Sequence, residues 1–289
     1  MTQRIDQRII DLFDAFTHSA MDRREFMAQL SSLAGGFAAA TALITLLEGS
    51  GAEAAVTDPG DSRLEAGKVT YPGRSGPMKA YLARPDGEGK RPAVVVIHEN
   101  RGLNPHIEDV ARRFALAGFL ALAPDALSPL GGTPADSDEA RRRIYTLDRS
   151  ATIGDFLAAI SYLKTHPGSN GKVGSVGFCW GGAMSNQLAV HSRDLGAAVV
   201  FYGRSPTSGD VPKIKAPLLL HYGGLDTRIN AGVPAYETAL KAAGATYTVH
   251  MYEGANHAFH NDTRPARYDK KAADLAWERT LAFFKKHLS

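Results

Sequence analysis

Residues 172–182 read Lys-Val-Gly-Ser-Val-Gly-Phe-Cys-Trp-Gly-Gly, and this stretch decides the fold. The segment Lys172–Phe178 has the composition of a buried strand, and a helical pattern follows over Gly182–His191. The Gly-x-Cys-x-Gly pattern between them predicts a sharp strand-turn-helix connection that presents Cys179 as a nucleophile. Glycines suit such a turn because larger side chains would collide with the neighbouring strand and helix. The motif alone leaves open a glycine-rich turn that holds an inert cysteine.

Strand and helix patterns alternate through the rest of the chain, which predicts a mostly parallel sheet covered by helices on both faces. Ala93–Ile97 is continuously apolar, as expected of a strand buried on both faces, and Lys68–Tyr71 with Met78–Arg84 predicts an edge hairpin. We interpret residues 55–289 as one α/β domain. The other predicted segments are the strands Phe119–Ala123, Ala197–Tyr202, Leu218–His221 and Thr246–Tyr252, and the helices Ile107–Ala117, Asp138–Leu147, Thr152–Lys164, Val233–Ala243 and Asp269–His287.

Two more candidate catalytic groups follow later strands. Asp226 comes after Leu218–His221, and His257 comes after Thr246–Tyr252. Taken singly, the aspartate could be a helix cap and the histidine a surface loop residue. The chain order nucleophile, acid, histidine is the order of α/β-hydrolases, so the three groups together predict a triad of Cys179, His257 and Asp226. Three other histidines near predicted strand ends rank below His257 on position: His98, His221 and His260.

Glu99 is a further candidate because it directly follows the buried strand Ala93–Ile97. A carboxylate beside a thiol ordinarily raises the thiol pKa and suppresses the nucleophile. Alternatively, Glu99 accepts the thiol proton when substrate arrives. A salt bridge to Arg101 or to another arginine is the structural alternative.

The composition of the chain excludes several classes of function. The chain has 289 residues, of which 44% are hydrophobic, so it can bury one large core. Lys and Arg (33) nearly balance Asp and Glu (30), which gives no basic patch for nucleic acid. The single cysteine excludes an internal disulfide, and no Cys/His cluster has zinc-finger spacing. We therefore expect no metal and no organic cofactor.

The first 54 residues differ in composition from the rest. Phe26 to Leu47 carries no charge and follows the pair Arg23-Arg24. The string Asp22-Arg23-Arg24-Glu25-Phe26-Met27 resembles a twin-arginine signal, and Ala52-Glu53-Ala54 offers small residues to a signal peptidase. Residues 1–54 are thus predicted to be an export signal, cleaved near Ala54 or Ala55, that directs the protein to the periplasm or out of the cell.

The alternative for this segment is an amphipathic N-terminal helix followed by a retained hydrophobic helix, in a cytoplasmic or membrane-anchored protein. The apolar run is just long enough to span a bilayer. Its Gly, Ser and Thr content makes it a weak anchor. We expect no stable membrane span in the mature protein.

From about Lys68 to Leu288 the sequence resembles the dienelactone hydrolase family, the carboxymethylenebutenolidases. The most specific part is Gly154–Ala183, with Gly154-Asp155, Ser169-Asn170-Gly171-Lys172-Val173-Gly174 and the cysteine turn. The resemblance implies an α/β-hydrolase fold with the triad named above, and it makes Glu99 the carboxylate that helps to generate the thiolate on substrate binding. It further implies an oxyanion hole from the amides of Trp180 and Asn100, and substrate binding by Arg141 and Tyr145.

Two positions depart from that family. Members that open a carboxylate-bearing lactone have a serine directly after the histidine and an arginine three residues further on, where this chain has Ala258 and Asn261. Arg264 or Arg267 could replace that arginine, although the guanidinium fork is sensitive to position. We expect a small-molecule ester or lactone as substrate, with a bulkier or uncharged ester as the alternative.

The predicted reaction is hydrolysis through a thioester acyl-enzyme. Two other classes of function stay open at this point. One is a non-catalytic member of the fold that binds a ligand in the same pocket. The other is a thiol-dependent transferase or peptide-bond hydrolase. The oligomeric state is left open.

Overall fold

The computed structural model describes residues 5–19, 21–49 and 56–289. An eight-stranded sheet in the order β1-β2-β4-β3-β5-β6-β7-β8 forms its centre. Strands β1 and β2 form an antiparallel hairpin, β2 pairs antiparallel with β4, and all the other pairs are parallel. The strands are β1 Leu64–Gly73, β2 Gly76–Pro85, β3 Arg91–Ile97, β4 Leu120–Pro124, β5 Ser169–Phe178, β6 Leu195–Phe201, β7 Leu218–Gly223 and β8 Tyr247–Tyr252.

Helices cover both faces of this sheet. Helices α6, α7 and α9 pack on one face, and α4 and α10 pack on the other. The helices are α1 Gln7–His18, α2 Arg23–Ala34, α3 Phe37–Glu48, α4 Pro105–Leu116, α5 Ser137–Ile144, α6 Arg149–Thr165, α7 Trp180–His191, α8 Thr227–Asn230, α9 Val233–Ala242 and α10 Lys270–Leu288. The predicted α/β-hydrolase fold, with a mostly parallel sheet between two helical layers, is confirmed.

Strand β3 contains the continuous apolar run Ala93–Ile97 because helices cover both faces of the sheet at this strand. Successive side chains of a strand point to opposite faces. Ala93, Val95 and Ile97 pack on the face of α6 and α7, whereas Val94 and Val96 pack on the face of α4 and α10. All five are fully buried.

The predicted segments of the domain are present with shifts of a few residues at their ends. The largest shift is in β1, which begins at Leu64 instead of Lys68. Helix α7 begins at Trp180 instead of Gly182, so Cys179 is its N-terminal cap residue. The short helix α8, directly after Asp226, had no counterpart in the sequence analysis.

Helices α1, α2 and α3 share a small apolar cluster that includes Phe13, Phe16, Phe26 and Leu30. Within the described residues, no single helix has the length and apolar character to cross a membrane. Helices α2 and α3 satisfy those criteria only as a pair, and the pair is bent by 109°. The predicted cleavage site at Ala54 or Ala55 lies outside the described residues, and export stays a prediction.

Candidate active site

Cys179 lies in the turn between β5 and α7, at the carboxyl edge of the sheet. Its φ of 56° and ψ of −111° form a conformation that residues other than glycine rarely adopt. A Cβ on Gly177 would lie 1.9 Å from the carbonyl oxygen of Gly181, and a Cβ on Gly181 would lie 2.3 Å from that of Ile97. Both glycines are therefore required for the turn, as the sequence predicts.

His257 and Asp226 form a buried pair beside this turn. Nδ1 of His257 lies 2.5 Å from Oδ2 of Asp226. The other carboxylate oxygen of Asp226 accepts from the Ile229 amide at 3.2 Å and caps α8, which fixes the orientation of the carboxylate. The predicted helix-cap role and the pairing with histidine thus occur in the same residue. A ring nitrogen of His257 and the sulfur of Cys179 lie within 4.8 Å of each other.

A second imidazole contacts the sulfur, and the sequence analysis missed it. His18, the last residue of α1, places Nε2 3.1 Å from Sγ of Cys179. Its Nδ1 lies 2.9 Å from the carbonyl oxygen of Asp14 and 3.1 Å from the carboxylate Oδ1 of that residue. The other oxygen, Oδ2, accepts from Nε of Arg228 at 2.8 Å. No motif marks His18; the only signal is the amphipathic pattern of α1, which lies in the segment assigned to export.

The charges of this cluster favour a thiolate. Burial raises the pKa of the Cys179 thiol, but the charges of His18 and His257 and the hydrogen bond with His18 outweigh burial and lower it to about 6. Burial lowers the pKa of His257, but the negative charges of Asp14, Asp226 and Cys179 raise it to about 10. The pKa of His18 is also raised, since the thiolate and Asp14 outweigh its burial. At neutral pH the sulfur is therefore an anion, and it lies beside two imidazole rings whose centres are 4.8 Å apart.

Glu99 is buried close to the nucleophile but has partners of its own. Its Oε2 accepts from Nδ2 of Asn261 at 2.8 Å. Burial raises its pKa, yet the charges of His106, Arg267 and Arg264 and the Asn261 bond hold it below its usual value. The structural alternative, a salt bridge from Glu99 to Arg101 or to another arginine, does not occur among the described residues, where Arg101 pairs with Asp138.

Arg101 pairs elsewhere because helix α5 brings acceptors close to its guanidinium. Its Nη1 donates to Ser137 at 2.6 Å and to Asp138 at 3.1 Å. Glu99 and Cys179 both line a cavity of about 20 Å³, which has room for about one water molecule. Any proton transfer between the two residues would pass through this small space.

The groups assigned to the oxyanion hole lie at the same edge of the sheet. Trp180 is the first residue of α7, so its amide is one of the first-turn N–H groups that no helical carbonyl accepts. Asn100 follows β3 and is buried. Its side-chain Nδ2 donates to the carbonyl oxygen of Thr17 at 3.0 Å and to the hydroxyl of Tyr145 at 3.2 Å.

A larger cavity of about 280 Å³ also borders the sulfur. Its wall combines apolar and aromatic groups with two arginines: Tyr145, Trp180, Ala183, Tyr202, Ile229, Arg204 and Arg228, beside His18, Cys179 and His257. Tyr145 lines this cavity, and its role in substrate binding stays a prediction. Arg141 is not among the lining residues; its Nη1 donates to the carbonyl oxygen of Phe16 at 3.2 Å, and its guanidinium lies 4.7 Å from the centre of the Phe16 ring.

The remaining candidate histidines are held in the core. His221 contacts the hydroxyls of Thr280 and Tyr252, and burial lowers its pKa well below the usual value. His260 stacks on Phe178, and burial lowers its pKa to about 3. In the third, His98, Nδ1 lies 2.6 Å from the carbonyl oxygen of Glu99, and the ring stacks on the indole of Trp180. Only His257 pairs with the acid of the predicted triad.

Among the described residues, His18, Cys179 and His257 also form a group of donor atoms, within 4.8 Å of one another, that could approach a metal ion. We interpret the group as an acid–base cluster because the sulfur and Nε2 of His18 already lie at hydrogen-bond distance. The expectation of a metal-independent enzyme stays a prediction, and chelation tests it.

Known proteins match this chain over most of its length. The profile of the dienelactone hydrolase family matches residues 78–288. The chain belongs to the dienelactone hydrolase family. This family member is accordingly a hydrolase for carboxylic ester or lactone bonds. A second profile, described as YqhI-like, matches residues 1–35.

Two relatives of this hydrolase carry the name "Putative carboxymethylenebutenolidase". The protein from Salmonella typhimurium is 35% identical over 78% of this chain and 88% of its own length. The protein from Methylorubrum extorquens is 32% identical over 96% of this chain and 97% of its own length, so that alignment extends into residues 1–54.

Solved structures also resemble this hydrolase. A structure from Klebsiella pneumoniae, described as a "Putative Dienelactone Hydrolase", has 32% identity and a TM-score of 0.70, and covers 77% of this chain and 99% of its own. The dienelactone hydrolase-like promiscuous phosphotriesterase P91, from metagenomic libraries, has 27% identity and a TM-score of 0.71 over 79% of this chain and 100% of its own.

Proposed function

We propose that this hydrolase cleaves a small carboxylic ester or lactone with Cys179 as nucleophile, His257 as acid and base, and Asp226 as the group that orients the histidine. One observation carries the proposal: a thiol with its pKa lowered to about 6 lies beside a buried imidazole–carboxylate pair at the carboxyl edge of the sheet. Such a thiolate is a strong nucleophile at neutral pH. Family membership supports the class of bond that it attacks.

Acylation begins when the Cys179 thiolate attacks the carbonyl carbon. A carbon–sulfur bond forms and the carbonyl electron pair moves to the oxygen, where the amides of Trp180 and Asn100 would stabilise the negative charge. The tetrahedral intermediate then collapses and the bond to the alcohol oxygen breaks. The His257 imidazolium gives its proton to the leaving alkoxide, which leaves a thioester and a neutral imidazole.

Deacylation uses the neutral imidazole as a base. His257 takes a proton from water, the hydroxide attacks the thioester, and the thiolate leaves. Acylation removes the negative charge of the sulfur, which is one cause of the raised pKa of His257. The same residue is thus a better acid before acylation and a better base after it.

The cavity favours a small substrate. Its volume of about 280 Å³ is just below the usual range for ligand pockets, about 300–1,000 Å³. Tyr145, Tyr202 and Ile229 suit an apolar or aromatic substituent. Arg141 is engaged by Phe16, and Asn261 replaces the family arginine, so we place an uncharged ester ahead of the carboxylate-bearing lactone.

A panel of lactones and simple esters, with and without a carboxylate, tests the proposal on the wild type and on Cys179→Ala. Wild-type hydrolysis with a trapped acyl adduct of Cys179 in mass spectrometry is expected. The alanine variant should keep the fold and lose turnover by at least about a thousandfold. Full activity in that variant would refute the nucleophile. Acyl transfer to an added alcohol, cleavage of amides in preference to esters, or no turnover of any activated ester would favour the alternative functions.

A further inference from the structure

We propose that His18 is a further catalytic residue and that α1 is part of the catalytic machinery of the working enzyme. The inference rests on the proposed function, in which Cys179 is the nucleophile. In the resting enzyme the proton leaves Sγ and is bound by Nε2 of His18, which creates a thiolate–imidazolium pair before substrate arrives. His257 is then left to serve the leaving group and the water.

The imidazole of His18 is oriented for this role. Its side chain is only 10% exposed. Nδ1 faces the carbonyl oxygen and the carboxylate of Asp14, which fixes the tautomer with the hydrogen on Nδ1. Nε2 is then the atom free to accept the thiol proton at 3.1 Å. Asp14 is held in turn by Arg228, so the sulfur has a second carboxylate–imidazole pair beside it, and the His18 ring lies 4.8 Å from that of His257.

Contacts other than the one between His18 and Cys179 also hold α1 against the site. Nη1 of Arg141 donates to the carbonyl oxygen of Phe16, and Nδ2 of Asn100 donates to that of Thr17. The family resemblance assigns Arg141 to substrate binding and Asn100 to the oxyanion hole. At the start of the helix, Nε2 of Gln7 donates to Asn256, the neighbour of His257, at 2.6 Å. Helix α1 therefore contacts the site at both ends.

Position and charge favour His18 over Glu99 as the acceptor of the thiol proton. Glu99 is bonded to Asn261, and nearby positive charges keep its pKa low, which makes it a weak base. His18 touches the sulfur directly. A proton on His18 also adds positive charge beside the thiolate, which a carboxylate cannot do.

Other charged and titratable groups surround the sulfur and act on the same equilibrium. On the side of the larger cavity they are His257, Tyr145, Tyr202, Arg204 and Arg228. On the side of the small cavity they are Glu99, Arg101, Arg264 and Arg267. Asp14 and Asp226 act through the two imidazoles. Changing His18 alone leaves all of these groups in place, so the effect of its charge can be isolated.

The test is the pH dependence of alkylation of Cys179, the only cysteine in the chain, by iodoacetamide. The wild-type rate should rise with a midpoint near pH 6. In His18→Gln, which keeps a polar side chain but cannot bind the proton, the midpoint should move at least one unit towards 9.0, the ordinary value. The control is His166→Gln, after α6 and at the amino end of β5, on the opposite edge of the sheet. It should leave the midpoint unchanged.

A folded His18→Gln variant with the wild-type midpoint overturns the proposal. Where that variant does not fold, Asp14→Asn keeps the imidazole, removes its partner charge and should move the midpoint in the same direction by a smaller amount. If Asp14→Asn folds and its alkylation midpoint equals that of the wild type, the proposed role of His18 is overturned. Alkylation needs no ester, so a shifted midpoint without ester turnover in the wild type refutes the proposed function alone.

The length of the mature protein is a second test. Cleavage near Ala54 would remove His18, so signal cleavage and this proposal exclude each other. The intact mass of active enzyme purified from its native host should correspond to a chain that retains α1. An active enzyme that begins near Ala55 would overturn the role of His18.

Discussion

Acid should switch off the proposed acylation step with a midpoint near pH 6. The pKa of the Cys179 thiol is lowered to about 6 from an ordinary value of 9.0, so the thiolate is present above pH 6 and is lost as the pH falls through that value. About nine tenths of the sulfur is then ionised at about pH 7 and about one tenth at about pH 5. Between these two pH values kcat/KM should fall roughly tenfold.

At alkaline pH the activity should fall as the pH rises, because the group that loses its proton there is the acid His257. The raised pKa of His257, about 10, keeps the imidazolium that serves the leaving group until the pH rises through that value. Initial rates with an uncharged alkyl ester, whose alkoxide needs a proton in order to leave, should give a plateau with these two limbs between about pH 5 and 11. An unperturbed thiol would behave differently: kcat/KM would climb about tenfold per pH unit from about pH 6 to 8. Such a climb would refute the charge arrangement derived from the structure.

Three further predictions follow from the site. Gly181→Ala should lower the melting temperature strongly or prevent folding, because its Cβ would lie 2.3 Å from the Ile97 carbonyl oxygen; Gly209→Ala, with no atom within 4 Å, is the matched control. In Asp226→Asn the amide oxygen keeps the cap of α8 but the charge on His257 is lost. The kcat/KM of this variant should fall by about 10² or more, and the loss of activity at alkaline pH should begin at a lower pH. A wild-type pH profile would contradict the pairing of His257 with Asp226. Dialysis against EDTA should leave the rate of ester hydrolysis unchanged, and a loss that Zn²⁺ restores would show a metal-dependent enzyme.

The sequence was most informative where one physical constraint admits few residues. The Gly-x-Cys-x-Gly turn is such a case, since the Cβ positions of Gly177 and Gly181 are already filled by backbone. The continuous apolar run of β3 is another, because a strand covered by helices on both faces needs apolar side chains in both directions. The pairing of His257 with Asp226 was predictable because parallel strands bring their carboxyl ends to one edge.

The contacts of His18 and Arg141 could not be predicted, because they join residues that are far apart in the sequence. His18 is 161 residues from Cys179, and no local pattern can report a contact over such a distance. The apolar run of α2 and α3 satisfies the composition of an export signal as well as that of a small helical cluster. The engagement of Arg141 by Phe16 was hidden for the same reason, since it depends on where α1 docks.

Helix α1, which carries His18, shares with α2 and α3 an apolar cluster that is separate from the two clusters that cover the sheet. A unit with its own small core can open while the larger one stays folded. On heating, ester turnover should therefore decline at a lower temperature than the circular dichroism of the sheet domain. Cooling from that intermediate temperature should restore the activity, because only the docking of one small helical unit has to be regained.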